Sequence, residues 1–563
     1  MNSFPTWFSR WVVVLASLLA LVTTSMVNAQ ICGIPGMIGN AAVNVAVNTY
    51  FAGSGTPAAG TSAITLLAGA TSRRGVAANL VAGDLVLIMQ MQDNSGALAG
   101  NYEYAVVTVG GGVGVTIQLA SNLVNSYAQT LTPATGIVRT FQVIRVPQYS
   151  TATLSGIIDV LPWFVDPISG AGTGGVFAVD VAGLLTSNGV TINANARGFR
   201  GGLGVNSVSN RAGGNPLDDD YACTSGTLNG SYKGEGTAGI PKRVLGFNTG
   251  GTAGVATTYD AAGELYTVAA NRGFIAGSCG RGAQGNSGGG GNDGVPPTNT
   301  NGQNSGGGGG GNVGVGGIGG NSWNSNDPNS ATLNQTPPAP AGFGGWAAGG
   351  RGGLALAPSL TTKIYLGGGG GAGSANNASA DAITTFPPTA PGVSPTVVAN
   401  GASGAITSSG ASGGGIVMWR AGAVTISAAS VINAQGANAY TKNPTGDTDS
   451  AGGGGGGPVV IDNASGSLTN LTINAFGGIG GSSNYYNHGP GGGAVAVLFS
   501  HAVPVPPPMF LRAHLAQMAV AGAQQETEAP KITRLLRVLS AQLQHQEPAT
   551  RRALFQVRNV YPT

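Results

Sequence analysis

The sequence predicts an all-β protein, with an N-terminal antiparallel β-domain followed by a parallel β-helix-like repeat region carrying long glycine-rich loops. Three observations lead there. Glycine supplies 100 of the 563 residues without a strict Gly-X-Y period, which demands many tight turns and excludes a collagen triple helix. Hydrophobic residues make up 42% and charged residues 8%, the reverse of the low-hydrophobicity, high-charge pattern of a disordered chain. A unit running from a glycine pair through two short strands to Ile-Asn-Ala occurs three times.

Residues 1–29 have the layout of a secretory signal peptide. Arg10 supplies the positive charge, Trp11 to Val22 the apolar run, and Val27 and Ala29 the small residues before a cleavage point. The apolar run is short for a bilayer span, and no later segment offers about 18 uninterrupted apolar residues. Ile31 stands before Cys32, where lipidation requires a small residue. The expectation is a secreted protein, extracellular or on a bacterial cell surface. In such a compartment cysteines oxidise, and Cys223 with Cys279 is the favoured pair, since both lie in the glycine-rich middle; three free thiols is the other reading.

Residues 30–150 read as the antiparallel domain. "LVAGDLVLIMQMQ" places a Gly-Asp turn before a strand, and "YEYAVVTV", "GVGVTIQLA" and "RTFQVIRVPQYS" supply further β-branched and aromatic segments between turn glycines. Pro147 marks a strand end or an edge.

Residues 151–500 carry the repeat. "GGVFAVDVAGLLTSNGVTINANARG", "GGGIVMWRAGAVTISAASVINAQGANA" and "GGPVVIDNASGSLTNLTINAFGG" each end a strand on Asn193, Asn433 or Asn474. The last glycine of the pair precedes that asparagine by 18, 18 and 17 residues, and a fourth unit opens at "GGGAVAVLFS", residues 491–500. Strands this short bury a face only by pairing with the next copy, so the units should stack in register about 4.8 Å apart. Asn193, Asn433 and Asn474 then occupy equivalent corners, where amides form a ladder. The glycine blocks between copies, such as "NSGGGGGGNVGVGGIGGNSW" and "YLGGGGGAGSANN", have two readings. One is flexible linker; the other is close packing of side-chain-free chains in a polyproline-II-like conformation.

Residues 501–563 differ in composition. They hold one glycine, three of the four histidines, and seven basic against three acidic residues. "KITRLLRVLSAQLQHQ" spaces its leucines as an amphipathic helix would. By codon degeneracy, DNA for "PMFLRAHLAQMAVAGAQQETE" can be written so that its neighbouring frame encodes a glycine-rich stretch, and a frameshift near residue 500 is the expectation for this atypical tail. Without tail and signal segment, sixteen basic residues face eighteen acidic ones, which argues against a nucleic-acid surface.

Catalytic groups are sparse. His488 is the one histidine outside the tail, so no histidine triad or multi-histidine metal site is read, and no catalytic constellation or cofactor motif stands out. Asp218, Asp219 and Asp220 form a weak Ca²⁺ candidate, and a solvated acidic loop is the preferred reading. Lys233, Glu235, Lys242 and Arg243, and Arg197 and Arg200 about Phe199, are charges in a chain that otherwise avoids them.

The segments "GDLVLIMQMQ", "GNYEYAVV", "FQVIRVPQYS", "GFRGG", "SYKGEGTAGIP", "NSGGGGGGNVGVGGIGGNSW" and "GASGGGIVMWRAG", in that order, resemble the glycine-rich exported surface proteins of bacteria. The resemblance spans roughly residues 30–500. It implies an envelope or extracellular location and brings no established reaction or binding residue. The leading expectation is therefore a secreted or cell-surface structural protein or adhesin, with surface glycans or other envelope components as partners. A polysaccharide-acting enzyme is the alternative, and it predicts Asp180, Asp462 and a basic residue together in a cleft. Self-association into a fibre or matrix is the third.

Overall fold

The computed structural model describes residues 36–132, 137–166, 169–204, 231–241, 277–292, 305–320, 349–357, 362–374, 408–439, 452–481 and 491–493, with five further two-residue strands. In chain order the strands are β1 (Asn40–Val43), β2 (Thr49–Ser54), β3 (Ala63–Leu66), β4 (Arg73–Gly75), β5 (Leu85–Asp93), β6 (Tyr102–Val109), β7 (Thr116–Leu119), β8 (Thr130–Thr132), β9 (Ile137–Val146), β10 (Gln148–Tyr149), β11 (Thr151–Asp159), β12 (Phe164–Val165), β13 (Gly172–Thr173), β14 (Val176–Asn193), β15 (Ala382–Ile383), β16 (Val397–Val398), β17 (Ile416–Ala428), β18 (Ser430–Asn433), β19 (Val459–Asn463), β20 (Gly466–Ser467), β21 (Leu471–Asn474), β22 (Leu498–Phe499), β23 (His501–Ala502) and β24 (Ala516–Gln517). The protein is all-β: among the described residues the helical geometry is one 3₁₀ turn, Ala70–Ser72. The chain divides into two units, Met1–Ala521 and Gly522–Thr563, and the whole of the second lies outside the described residues.

Strands β2, β3, β7, β6, β5 and β9 pair antiparallel in that order, and β9 pairs back to β2, closing a six-stranded barrel. Alternation along each strand decides what faces inward. Val86, Ile88, Ala105, Val107, Phe141 and Val143 fill the interior. Leu85, Leu87, Met89 and Met91 point the other way, yet they too are buried, against Val176, Ala178, Ile416 and Met418 of the second sheet. Hence "LVLIMQM" reads as a continuous apolar run rather than an alternating one.

The second sheet is parallel. β14, the pair β17 and β18, and the series β19, β20 and β21 lie side by side, with Val176 opposite Ile416, Val417 opposite Val459, Asn193 opposite Asn433, and Asn433 opposite Asn474. The three repeats read from the sequence are thus three consecutive coils. Phe177, Val179, Val417, Trp419, Val459 and Ile461 face one side as a shared core. Two side-chain amides tie the barrel to this sheet: Asn48 bonds both the N–H and the C=O of Ala178, and Gln142 does the same for Gly174.

One boundary moves. The sequence assigns residues 30–150 to a single antiparallel domain, but β1 pairs parallel with β11, and β10 with β14. From β1 the chain therefore runs from the stack into the barrel and returns after Val146. Strand direction is set by the distant partner, so "NAAV" carries no local mark of it.

The glycine blocks form a third layer. In the run 366–374, Gly368, Gly371 and Ser374 donate to the carbonyls of Gly311, Gly308 and Ser305; Gly369 and Ala372 donate to Glu235 and Tyr232; Gly367, Gly370 and Gly373 donate to Gly414, Ala411 and Ser408. The same run accepts from Phe199 and Gly202, from Gly288 and Gly291, and from Gly452 and Gly455, and all these bonds measure 2.8–3.1 Å. Partners recur every third residue, the signature of a three-residue-per-turn extended helix. Six neighbouring runs enclose this one, and six likewise enclose 305–312 and 452–457. A methyl on Gly369 would fall on the Arg200 carbonyl oxygen, so the spacing admits glycine alone. Of the two readings of the glycine blocks, the described runs follow the packed one.

Candidate functional site

The parallel register gathers charges that are far apart in sequence. Asp180 of β14 lies opposite Arg420 of β17, and Arg420 opposite Asp462 of β19; the row begins at Gln148 and continues to the position of His501. Arg420 Nε stands 3.6 Å from Asp180 Oδ1, and its guanidinium lies 4.5 Å from the centre of the Tyr104 ring, a cation–π contact from the barrel. Asp180 is 8% exposed and Arg420 7%, so the carboxylates and the base expected for an enzyme share a row but are largely covered. Burial holds the Asp180 carboxyl above its usual range, nearby Asp462 adds to this, and Arg420 opposes it. The buried Tyr104 hydroxyl has no hydrogen-bond partner among the described residues, and burial raises its pKa as well.

A second polar cluster lies where barrel, sheet and glycine layer meet. Glu235 accepts from Arg200 Nε (2.7 Å) and Nη2 (3.2 Å), from the Arg200 N–H (3.1 Å), from Trp163 Nε1 (2.9 Å) and from Gln92 Nε2 (3.2 Å). Glu235 and Arg200 are both buried, and Trp163 packs edge-on against Phe199. A buried carboxylate with this many donors is satisfied in place and makes the meeting of the three layers specific. Lys233, two residues away, is wholly buried, and burial lowers its ammonium pKa to about 7.

The repeat corners form a polar line. Asn193 Nδ2 donates to Asp159 Oδ1 at 2.6 Å, and Asn474 Nδ2 to Asn433 Oδ1 at 2.8 Å. Arg197 approaches Asp159 at 3.6 Å. Cys279 is disulfide-bonded to a partner outside the described residues. Asp218, Asp219, Asp220, Cys223, Lys242, Arg243 and His488 also lie outside them. Among the described residues no group of three or more His, Cys, Asp or Glu side chains is placed to hold a metal. Nor is any helix there long and apolar enough to cross a membrane.

Sequence reasoning singled out Lys233, Glu235, Arg197 and Arg200 but not Tyr104, Trp163 or Gln92. One signal was present: Arg420 interrupts an apolar strand in "IVMWRAG", at the position equivalent to Asp180 in "VFAVDVAG".

The runs of the glycine layer alternate in direction. Those leaving the coils (194–204, 434–439 and 475–481) run parallel to 286–292, 314–320 and 366–374 and antiparallel to 231–236, 305–312, 349–354, 408–415 and 452–457. Six run ends, Gly204, Asn292, Gly320, Ser374, Ala439 and Gly481, therefore share one end of the layer with six run starts, Ser231, Ser305, Gly349, Ser408, Gly452 and Gly491. Hydroxyls close part of that end: Ser305 Oγ donates to the Asn292 carbonyl at 2.9 Å, Ser374 Oγ to the same carbonyl at 2.9 Å, and Ser231 Oγ to Gly373 at 2.6 Å.

Fold and register together define an all-β scaffold in which a barrel, a parallel stack and a glycine layer share buried polar contacts. No protein-family model and no curated protein matches the chain. Two solved structures resemble part of it. The tailspike protein gp49 of Pseudomonas phage LKA1 is 16% identical, with 27% of this chain and 28% of that one covered and a TM-score of 0.14. The Gp54 tailspike of Acinetobacter baumannii bacteriophage AP22, solved with A. baumannii capsular saccharide, is 10% identical over 27% of this chain and 25% of that one, with a TM-score of 0.13. The chain spans about a quarter of the length of each.

Proposed function

We propose that the protein is a secreted or cell-surface scaffold of the adhesin type, whose glycine layer is a rigid mount for six chain connections. One observation carries this reading: alternating run directions bring the residues on either side of all six connections to one end. The connecting sequences hold the groups that the lattice excludes, including Tyr221, Trp323, Trp346, Tyr440, Tyr485 and Tyr486, with Asp218, Asp219 and Asp220. Aromatic faces and carboxylates are the chemistry by which proteins hold sugars, so surface glycans are the proposed ligand class. In the full chain, replacing 206–222 and 440–450 with short Gly-Ser links, with Cys223 kept, should lower glycan-array binding at least tenfold with an unchanged melting temperature. Unchanged binding would count against the reading.

The row of Asp180, Arg420 and Asp462 favours a second reading, cleavage of a polysaccharide. Asp180, whose pKa burial raises, and Asp462 two strands away are the kind of carboxyl pair that glycosidic hydrolysis uses as acid and base. Incubation with neutral and acidic polysaccharides should then release reducing ends, and Asp180→Asn and Asp462→Asn should each abolish the release. Equal release by both variants would remove this reading.

A further inference from the structure

The two ends of the parallel stack are unlike. At the first, β1 lies over β11, so Val43 and Ala41 close the core. At the other, β20 pairs only with β17 and β21 only with β18 among the described residues, while β23 reaches no further than Asp462 and Asn463. Leu468, Leu471 and Ile473 of the same core are there only partly buried. Beyond them Phe476 and Ile479 are 38% and 69% exposed.

Open strand edges in natural proteins are usually blunted by charge, proline or a bulge. Neither β1 ("NAAV") nor the stretch from β20 to β21 ("GSLTNLTIN") contains a charged residue or a proline. Both run in the direction of the stack, and one register connects them. Ala41, Ala152, Leu185, Val424 and Gly466 form one row across the sheet; Ala42, Thr153, Thr186, Thr425 and Ser467 form the next.

We propose that a second copy of this chain stacks head to tail here, its β1 adding in parallel to the β20 edge that is open among the described residues and continuing the interface that already joins successive coils. Ala41 of the incoming copy falls beside Gly466 and Ala42 beside Ser467. The contact joins two different surfaces, so it propagates as an open chain of copies rather than closing as a dimer. This inference is independent of the glycan-binding reading.

The register supplies the test. Ala42 and Ser467 are both exposed, so substitution there leaves the fold intact, which circular dichroism and the melting temperature verify. Sedimentation of the full chain should show concentration-dependent species beyond the dimer. The variant A42K/S467K, with like charges opposed, should raise the dissociation constant about tenfold, and A42K/S467E should restore it. Four results would overturn the proposal: a monomer throughout the concentration range, association that stops at a dimer, indifference to both variants, or equal weakening by both. The first is also the result expected if residues 503–563 occupy the edge.

Discussion

Gly369 donates to the Glu235 carbonyl and accepts from Gly288, and an added methyl would fall on the Arg200 carbonyl oxygen. Nothing flexible lies nearby to yield, since the neighbours are backbone. Gly369→Ala should therefore lower stability by about 3 kcal/mol or more, measured by denaturant unfolding. Gly493 is the control: a methyl there meets nothing closer than 3.9 Å, and Gly493→Ala should stay within about 0.5 kcal/mol of the parent. At the outer runs the same three-residue period appears in reverse. Val315 and Ile318, Arg351 and Leu354, and Phe476 and Ile479 are exposed at every third position, beside buried glycines such as Gly316, Gly352 and Gly478. A side chain at the outward position ends the lattice there, because a further run could not approach. That period is present in "VGGIGG", "RGGL" and "FGGIGG", and an alignment by threes would have found it in the sequence.

Among the elements, the first parts of β14 (residues 176–181) and β17 (residues 416–420) have both faces buried, against the barrel on one side and the shared core on the other. Asp180 is therefore a carboxyl in a largely apolar position, and its folded-state pKa is raised. Between the usual aspartate value of about 3.9 and that raised value, the folded chain binds more protons than the unfolded one. Its contribution to stability is thus greatest at low pH and declines as pH rises through that window. Urea midpoints measured from pH 3 to 7 should show Asp180→Asn removing this decline, so that the variant gains on the parent as pH rises. The repeat itself was legible, from the 18, 18 and 17 residues that separate each glycine pair from Asn193, Asn433 and Asn474, since units of nearly one length stack in one register. Strand direction at β1 was not legible, and neither was the barrel cover over Arg420. Both depend on partners about a hundred to more than three hundred residues away.

In the whole molecule three kinds of packing meet: apolar side chains in the barrel, apolar side chains between coils, and backbone against backbone in the glycine layer. Glu235 reaches the barrel through Gln92, the apolar cluster between barrel and sheet through Trp163, and the glycine layer through Arg200. The sequence by itself determined the all-β class, the repeat unit and its asparagine corner, because these follow from composition, from a period of two and from a recurring unit with 17 or 18 residues between glycine pair and asparagine. It also supplied both readings of the glycine blocks. Only the tertiary structure decided between them, since a glycine run has no side chains with which to announce its partners, and its order comes entirely from hydrogen bonds to other runs. The same holds for the row of Asp180, Arg420 and Asp462 and for the common end of the six connections. Each is a consequence of register and run direction, which are properties of pairs of segments and are carried by neither segment alone.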